Sequence, residues 1–205
     1  MKFVVTAGPT REHIDPVRFL SNPSTGKMGF AVARAAAGRG HEVALVAGPV
    51  SLKTPKGVRR IDVTSARDMF AAVTAELDAD SVLVATAAVA DWRPAKCAAK
   101  KMKKREMSGV VRLVRNPDIL KSARCRVKIG FAAETDDVLE EAARKCREKD
   151  LAMIVANDVT EKGAGFGADT NRVTFVRRDG AVERLPLMSK LAVARRIVRF
   201  AETLA

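Results

Sequence analysis

Tyrosine is absent, tryptophan occurs once, and aromatic residues make up only 4% of the 205-residue chain. So few flat side chains leave little for nucleotide bases to stack on, which weakens a reading as a single-strand nucleic-acid binder. The three cysteines, Cys97, Cys125 and Cys146, are far apart, and neither they nor His13 and His41 form a C-x-x-C or H-x-x-x-H pattern. Reduced thiols and ordinary histidines are expected rather than a metal cage. The longest apolar runs, residues 31–37 and 82–90, are interrupted or fall short of the roughly 20 residues that span a bilayer. The N-terminus reads as a strand running into a turn, without the charged, apolar and cleavage regions of a signal peptide. A cytoplasmic chain with no membrane partner is the expectation.

What is present points to a folded, anion-seeking protein. Hydrophobic residues supply 47% of the chain and charged residues 30%, enough apolar material for a large core. An α/β chain of this length is routinely one unit, so a single domain over residues 1–205 is expected. Lysine and arginine number 37 against 24 aspartate and glutamate, a net charge of +13. Nucleic acid satisfies such an excess, and so does a site for two phosphorylated small molecules. Solvated basic surface accounts for part of it.

Apolar periodicity alternates between strand and helix spacing along the chain. Strands are expected at residues 2–6, 42–47, 58–63, 81–86, 127–132 and 151–156, and helices at 26–38, 66–77, 118–123, 137–149 and 189–204. Thr64 and Ser65 stand where a helix cap belongs. This rhythm implies right-handed crossovers and a Rossmann-like, doubly wound, mainly parallel sheet flanked by helices. Residues 171–176 and 181–185 flank Arg177-Arg-Asp-Gly180, a C-terminal β-hairpin signal. Residues 87–105 read as an irregular, mobile Lys-rich loop, with another strand candidate at 109–115. Ligands on such sheets sit beyond the carboxyl ends of the strands, here the loops after Thr6, Ala47 and Thr86.

Several residues at those places have chemistry to offer. Ser24, Thr25 and neighbouring amides precede a helix, where a phosphate would be welcome, although either hydroxyl could simply cap it. Neither a dinucleotide fingerprint nor a Walker A loop is present. Asp91 follows an apolar strand and could hold Mg²⁺, a ribose hydroxyl or a base edge, or form a turn. Lys101-Met-Lys-Lys104 could neutralise a triphosphate or be solvated surface. Asn116-Pro-Asp-Ile-Leu120 places proline at a helix start. Lys145 and Lys149 share one helical face, and Glu141 is an ordinary partner for Lys145.

Taken in order, certain segments resemble the phosphopantothenate–cysteine ligase family of bacterial coenzyme A synthesis over essentially the whole chain. They are Thr6-Ala-Gly-Pro-Thr-Arg-Glu-His13, Asp15-Pro-Val-Arg-Phe-Leu-Ser-Asn22, Gly26-Lys-Met-Gly-Phe-Ala31, Ala87-Ala-Val-Ala-Asp-Trp-Arg93, Lys101-Met-Lys-Lys104, Asn116-Pro-Asp-Ile119, Gly130-Phe-Ala-Ala-Glu-Thr135 and Ala156-Asn-Asp-Val159. The resemblance implies that 4'-phosphopantothenate and L-cysteine are joined with CTP cleaved to CMP and pyrophosphate, through an acyl-cytidylate and with Mg²⁺ held mainly by the triphosphate. Asn22, Lys101 and Arg18 would be catalytic, Asn22 holding the intermediate, Arg18 supporting substrate binding and Lys101 stabilising charge. The nucleotide would meet Ala85, Thr86, Ala87, Asp91, Lys101, Pro117, Asp118, Ile119, Leu120, Phe131, Lys145 and Lys149. Lys100 adjoins Lys101 and could exchange roles with it, and Pro23 and Met102 depart from the usual residues. A homodimer is implied, through the hairpin region and the segment after Lys104, and a separate flavin-dependent decarboxylase is an expected partner. No FMN site and no nucleic-acid partner are expected. The rival classes are a basic nucleic-acid-binding module and a dinucleotide-dependent oxidoreductase.

Overall fold

In the computed structural model, which describes residues 1–106, 109–134, 138–158 and 165–204, the alternating segments assemble into one eight-stranded sheet. Its strands are β1 (Lys2–Ala7), β2 (Glu42–Ala47), β3 (Arg59–Asp62), β4 (Val82–Ala85), β5 (Val127–Glu134), β6 (Met153–Asp158), β7 (Thr174–Arg177) and β8 (Val182–Arg184). They lie in the order β8-β7-β6-β5-β4-β1-β2-β3, parallel from β6 through β3 and antiparallel at β7 and β8.

Side-chain alternation divides the sheet between two helical layers. On one face Phe3, Val5 and Ala7 of β1 pack with Phe30 and Val32 of α1 (Lys27–Ala37) and Val193 and Ile197 of α5 (Lys190–Glu202). On the other, Val4 and Leu83 pack with Met69 and Val73 of α2 (Ala66–Glu76) and Ile119 of α3 (Ile119–Ser122). Ile154 and Ala156 of β6 meet Ala142 and Cys146 of α4 (Val138–Glu148). Burial of each large side chain such as Leu45 or Ile129 contributes about 1.5–3 kcal/mol. A full capping box starts α2: Asp68 N–H donates to Ser65 Oγ at 3.2 Å, and Ser65 N–H donates to Asp68 Oδ2 at 2.9 Å. Such a cap is worth about 1 kcal/mol.

The chain runs outward from β1 to β2 and β3, then returns to the far side of β1 with β4. That reversal opens a crevice at the carboxyl ends of β1 and β4.

Some expectations change. The stretch 87–105 is not wholly irregular: Trp92–Pro94 pairs antiparallel with Leu113–Arg115, and Lys104–Glu106 forms a 3₁₀ turn. Only the end of the 109–115 candidate is a strand, and it lies outside the main sheet. The polar loop before α1 contains a second ribbon, Arg11–His13 paired with Phe19–Ser21. Three-residue strands are too short for alternation to register. The hairpin forms between β7 and β8, but Thr170–Asn171 pairs with Met188–Ser189 instead of extending it. Residues 135 and 159, at the ends of two family segments, and 137, the expected start of α4, lie outside the described residues. Among the described residues no helix is long and apolar enough to cross a membrane.

Candidate active site

Two loops leave β1 and β4 at the reversal and continue to pair. Ala88 N–H donates to Gly8 C=O at 2.9 Å, and Thr10 N–H donates to Ala88 C=O at 3.2 Å. Thr86 Oγ1 donates to Thr6 C=O at 2.6 Å, while Ala87 N–H donates to Thr6 Oγ1 at 3.2 Å. The 86–88 backbone is thereby fixed. Helix α1 is drawn against it at Gly29, where a Cβ would stand 2.5 Å from both Ala7 Cβ and Thr86 Oγ1.

No side chain caps α1 and no acid occupies its first turn. The amides of that turn lack intrahelical acceptors, so they and the dipole favour an anion. Thr25 is otherwise engaged, its Oγ1 donating to Phe166 C=O at 2.7 Å, and Ser24 Oγ accepts only a long 3.4 Å bond from Gly26 N–H. Of the two readings left open for these hydroxyls, helix capping is not what the structure contains.

A cavity of about 460 Å³ lies in front of this helix, bounded by Asn22, Thr86, Asn157, Phe166, Asn171 and Lys190. Beside it a cavity of about 710 Å³ runs along α3 and α4. Ala87, Val89, Asp91, Phe131 and Lys145 line both, so the two are compartments of one crevice. Of the residues expected to contact nucleotide, Ala85, Ala87, Asp91, Pro117, Asp118, Ile119, Leu120, Phe131, Lys145 and Lys149 line the larger compartment. Thr86 and Asn22 belong to the smaller, where Asn22 Nδ2 donates to Ala88 C=O at 3.1 Å.

Lys149 Nζ stands 2.9 Å from Asp118 Oδ2, and Asp118 also accepts from Lys121 N–H at 3.0 Å. Burial opposes ionisation of Asp118, yet the Lys121 amide and the Lys149 ammonium outweigh it and hold the carboxyl below its ordinary value. Glu141 is held by Arg144 at 2.7 Å, with Lys145 a weaker electrostatic neighbour that also lines the crevice. Asn116 fixes the turn above α3, donating from Nδ2 to Ala90 C=O at 2.8 Å.

Lys101 and Arg18 line neither compartment. They sit together elsewhere, on an excursion built around Asp15. Its buried carboxylate accepts from Arg18 Nε at 3.0 Å, Val17 N–H and Arg18 N–H at 2.9 Å, and Met102 N–H at 3.2 Å. Arg18 Nη2 in turn donates to Met102 C=O at 3.0 Å. The Arg18 guanidinium, aided by the backbone donors, holds the Asp15 carboxyl well below the usual carboxylate range despite its burial. Lys101 therefore hangs, exposed, from a clamp of which Arg18 is part.

The family described as "DNA/pantothenate metabolism flavoprotein C-terminal domain" matches residues 1–204. The chain belongs to this family. Among its relatives, the coenzyme A biosynthesis bifunctional protein CoaBC of Bacillus subtilis is 50% identical over 201 residues, covering 96% of this chain and 50% of that protein. The protein of the same name from Escherichia coli K12 is 45% identical over 215 residues, covering 98% of this chain and 53% of that one. The chain thus spans about half the length of the curated relatives it matches. A crystal structure of the C-terminal domain of a CoaBC superposes with a TM-score of 0.82 at 44% identity, covering 98% of this chain and 94% of that one. A Cab2 H337A mutant, solved in complex with phosphopantothenate-cysteine, shares the fold at 14% identity with a TM-score of 0.75, covering 98% and 86%.

The crevice also includes residues not selected from the sequence, namely Asn157, Phe166, Asn171 and Lys190. Asn157 was findable, since it follows an apolar strand just as Asp91 does. Lys190 was findable too: it shares the helical spacing of Val193, Ala194 and Ile197 on an apolar face. Phe166 and Asn171 follow a segment with no periodicity and gave no signal.

Proposed function

We propose that this domain is a phosphopantothenate–cysteine ligase of coenzyme A biosynthesis, using CTP. The observation that carries the reading is the two-compartment crevice, whose lining unites Asn22, Asp91, Phe131 and Lys145 beside an uncapped helix start. In this reading the nucleoside lies along Pro117, Ile119 and Leu120, and its phosphates extend past Asp91 and Lys145 toward α1. The phosphopantothenate carboxylate approaches at Asn22 and attacks the α-phosphorus as the bond to pyrophosphate breaks. The cysteine amine then attacks the acyl carbon, CMP departs, and the amine proton passes to solvent.

Two anions must be held in line for the first step, so fixed cations and amides are the available means of lowering its barrier. Among the described residues no three acids or histidines cluster as metal ligands. Asp91, which lines both compartments, is the carboxylate placed to assist a Mg²⁺ held chiefly by the triphosphate. Mg²⁺ would supply charge neutralisation on the phosphates.

Lys101 and Arg18 enter this scheme from a second copy of the chain. The two small ribbons expose Phe19, Leu20, Trp92 and Leu113, and the turns beside them expose Val17 and Val110. Contiguous apolar surface of this kind favours association. A homodimer built on it would offer one protomer's excursion to its partner's crevice. The test is pyrophosphate release with phosphopantothenate, cysteine and either CTP or ATP, leaving out one component at a time. Release that persists without the acid rejects the ligase reading. Equal rates with CTP and ATP reject the CTP preference alone.

A further inference from the structure

The turn at residues 165–169 offers its carbonyls inward, one after another. Gly165, Phe166 and Ala168 accept from Lys190 Nζ, Phe166 also from Thr25 Oγ1, Gly167 from Lys27 Nζ at 2.7 Å, and Asp169 from Lys190 N–H at 2.9 Å. Lys190 is only 6% exposed, yet among the described residues no carboxylate lies within ion-pair distance of it. Its nearest acid, Asp169, is engaged by Lys27 at 2.7 Å and faces solvent. All three ammonium hydrogens are used to hold backbone, and the charge, which Asp169 meets at a distance without contact, stands at the wall of the smaller compartment. Burying an ammonium without a counter-charge is costly, and a neutral donor would hold the turn at lower cost. The cost is recovered when an anion occupies the compartment.

We infer that Lys190 is a positioning residue for the phosphate-bearing substrate, fixing the 165–169 turn as one wall of the compartment and supplying the charge that the phosphate neutralises. This rests on the ligase reading for the identity of the substrate, though not for the presence of an anion. Burial and the nearby Lys27 push the Lys190 ammonium pKa down, in keeping with a cation awaiting its partner.

The test separates pin from charge. Lys190→Gln keeps a donor and removes the charge; thermal unfolding is followed with and without inorganic pyrophosphate, alongside steady-state kinetics. The expected result is a folded variant whose melting temperature no longer rises with pyrophosphate. Its KM for nucleotide increases roughly tenfold, while kcat changes less than about threefold. A pyrophosphate response equal to wild type, or a loss confined to kcat, overturns the inference. Should Lys190→Gln fail to fold, Lys190→Arg decides: a retained response supports the role of charge, and a folded variant without one overturns it. Wild-type protein that binds pyrophosphate but turns over no substrate would reject the ligase reading and leave the Lys190 result standing.

Discussion

The sheet rim and the Asp15 excursion hold the residues proposed for the site by opposite means. At the rim the backbone is the scaffold: strands β1 and β4 continue to pair beyond their ends, and Gly29 locks α1 against them. On the excursion one buried carboxylate gathers a guanidinium and three backbone amides and so suspends the segment that carries Lys101. Many backbone pairings hold the rim, whereas on the excursion one carboxylate adds to the Ala98–Ile14 backbone bond in joining two segments.

Five measurements would break or sharpen that contrast. The largest effect is expected at Lys101, where alanine should lower turnover by roughly 10²–10³-fold while circular dichroism and melting temperature stay at wild-type values. Mixing this variant with Asn22→Ala should restore part of the activity if the lysine serves the partner's crevice; no recovery would return it to its own. At the rim, Gly29→Ala should destabilise the fold by about 1–3 kcal/mol in denaturant titration, because the added methyl meets Ala7 and Thr86. Lys149→Ala should raise the nucleotide KM roughly 3–10-fold with little change in kcat, since its partner Asp118 stays anchored by the Lys121 amide. The smallest effect is acid loosening of the excursion. The Asp15 carboxyl is depressed in the folded state, so its contribution is complete above the ordinary aspartate value of about 3.9 and fades as pH falls below it. Fluorescence of Trp92, the sole tryptophan, should follow that change in wild type. In Asp15→Asn it should start from the loosened value at neutral pH.

How much of this was legible follows from the range of the interactions involved. The parallel strands announce themselves through runs such as Val82–Ala85, apolar because both faces are covered. Asp91 and the Asn116-Pro117 turn were visible as polar residues and a proline at element ends. The ribbon Arg11–His13 with Phe19–Ser21 was not, because its later strand is exposed at every position and has no buried face to alternate. The partnership of Thr25 with Phe166 was beyond reach, since 141 residues separate them. Lys101 was legible as a charged residue but not as one held away from the crevice, because that depends on where Met102 meets Asp15.

The two outermost strands carry a lesson about what the molecule avoids. β3 reads Arg-Arg-Ile-Asp and β8 reads Val-Glu-Arg, so each open border of the sheet bears opposite charges on a short strand. Bringing such a border against another copy would strip water from those ions, and the sheet therefore resists growing sideways into fibrils. The homodimer proposed above would use the apolar ribbons and leave those charged margins in water.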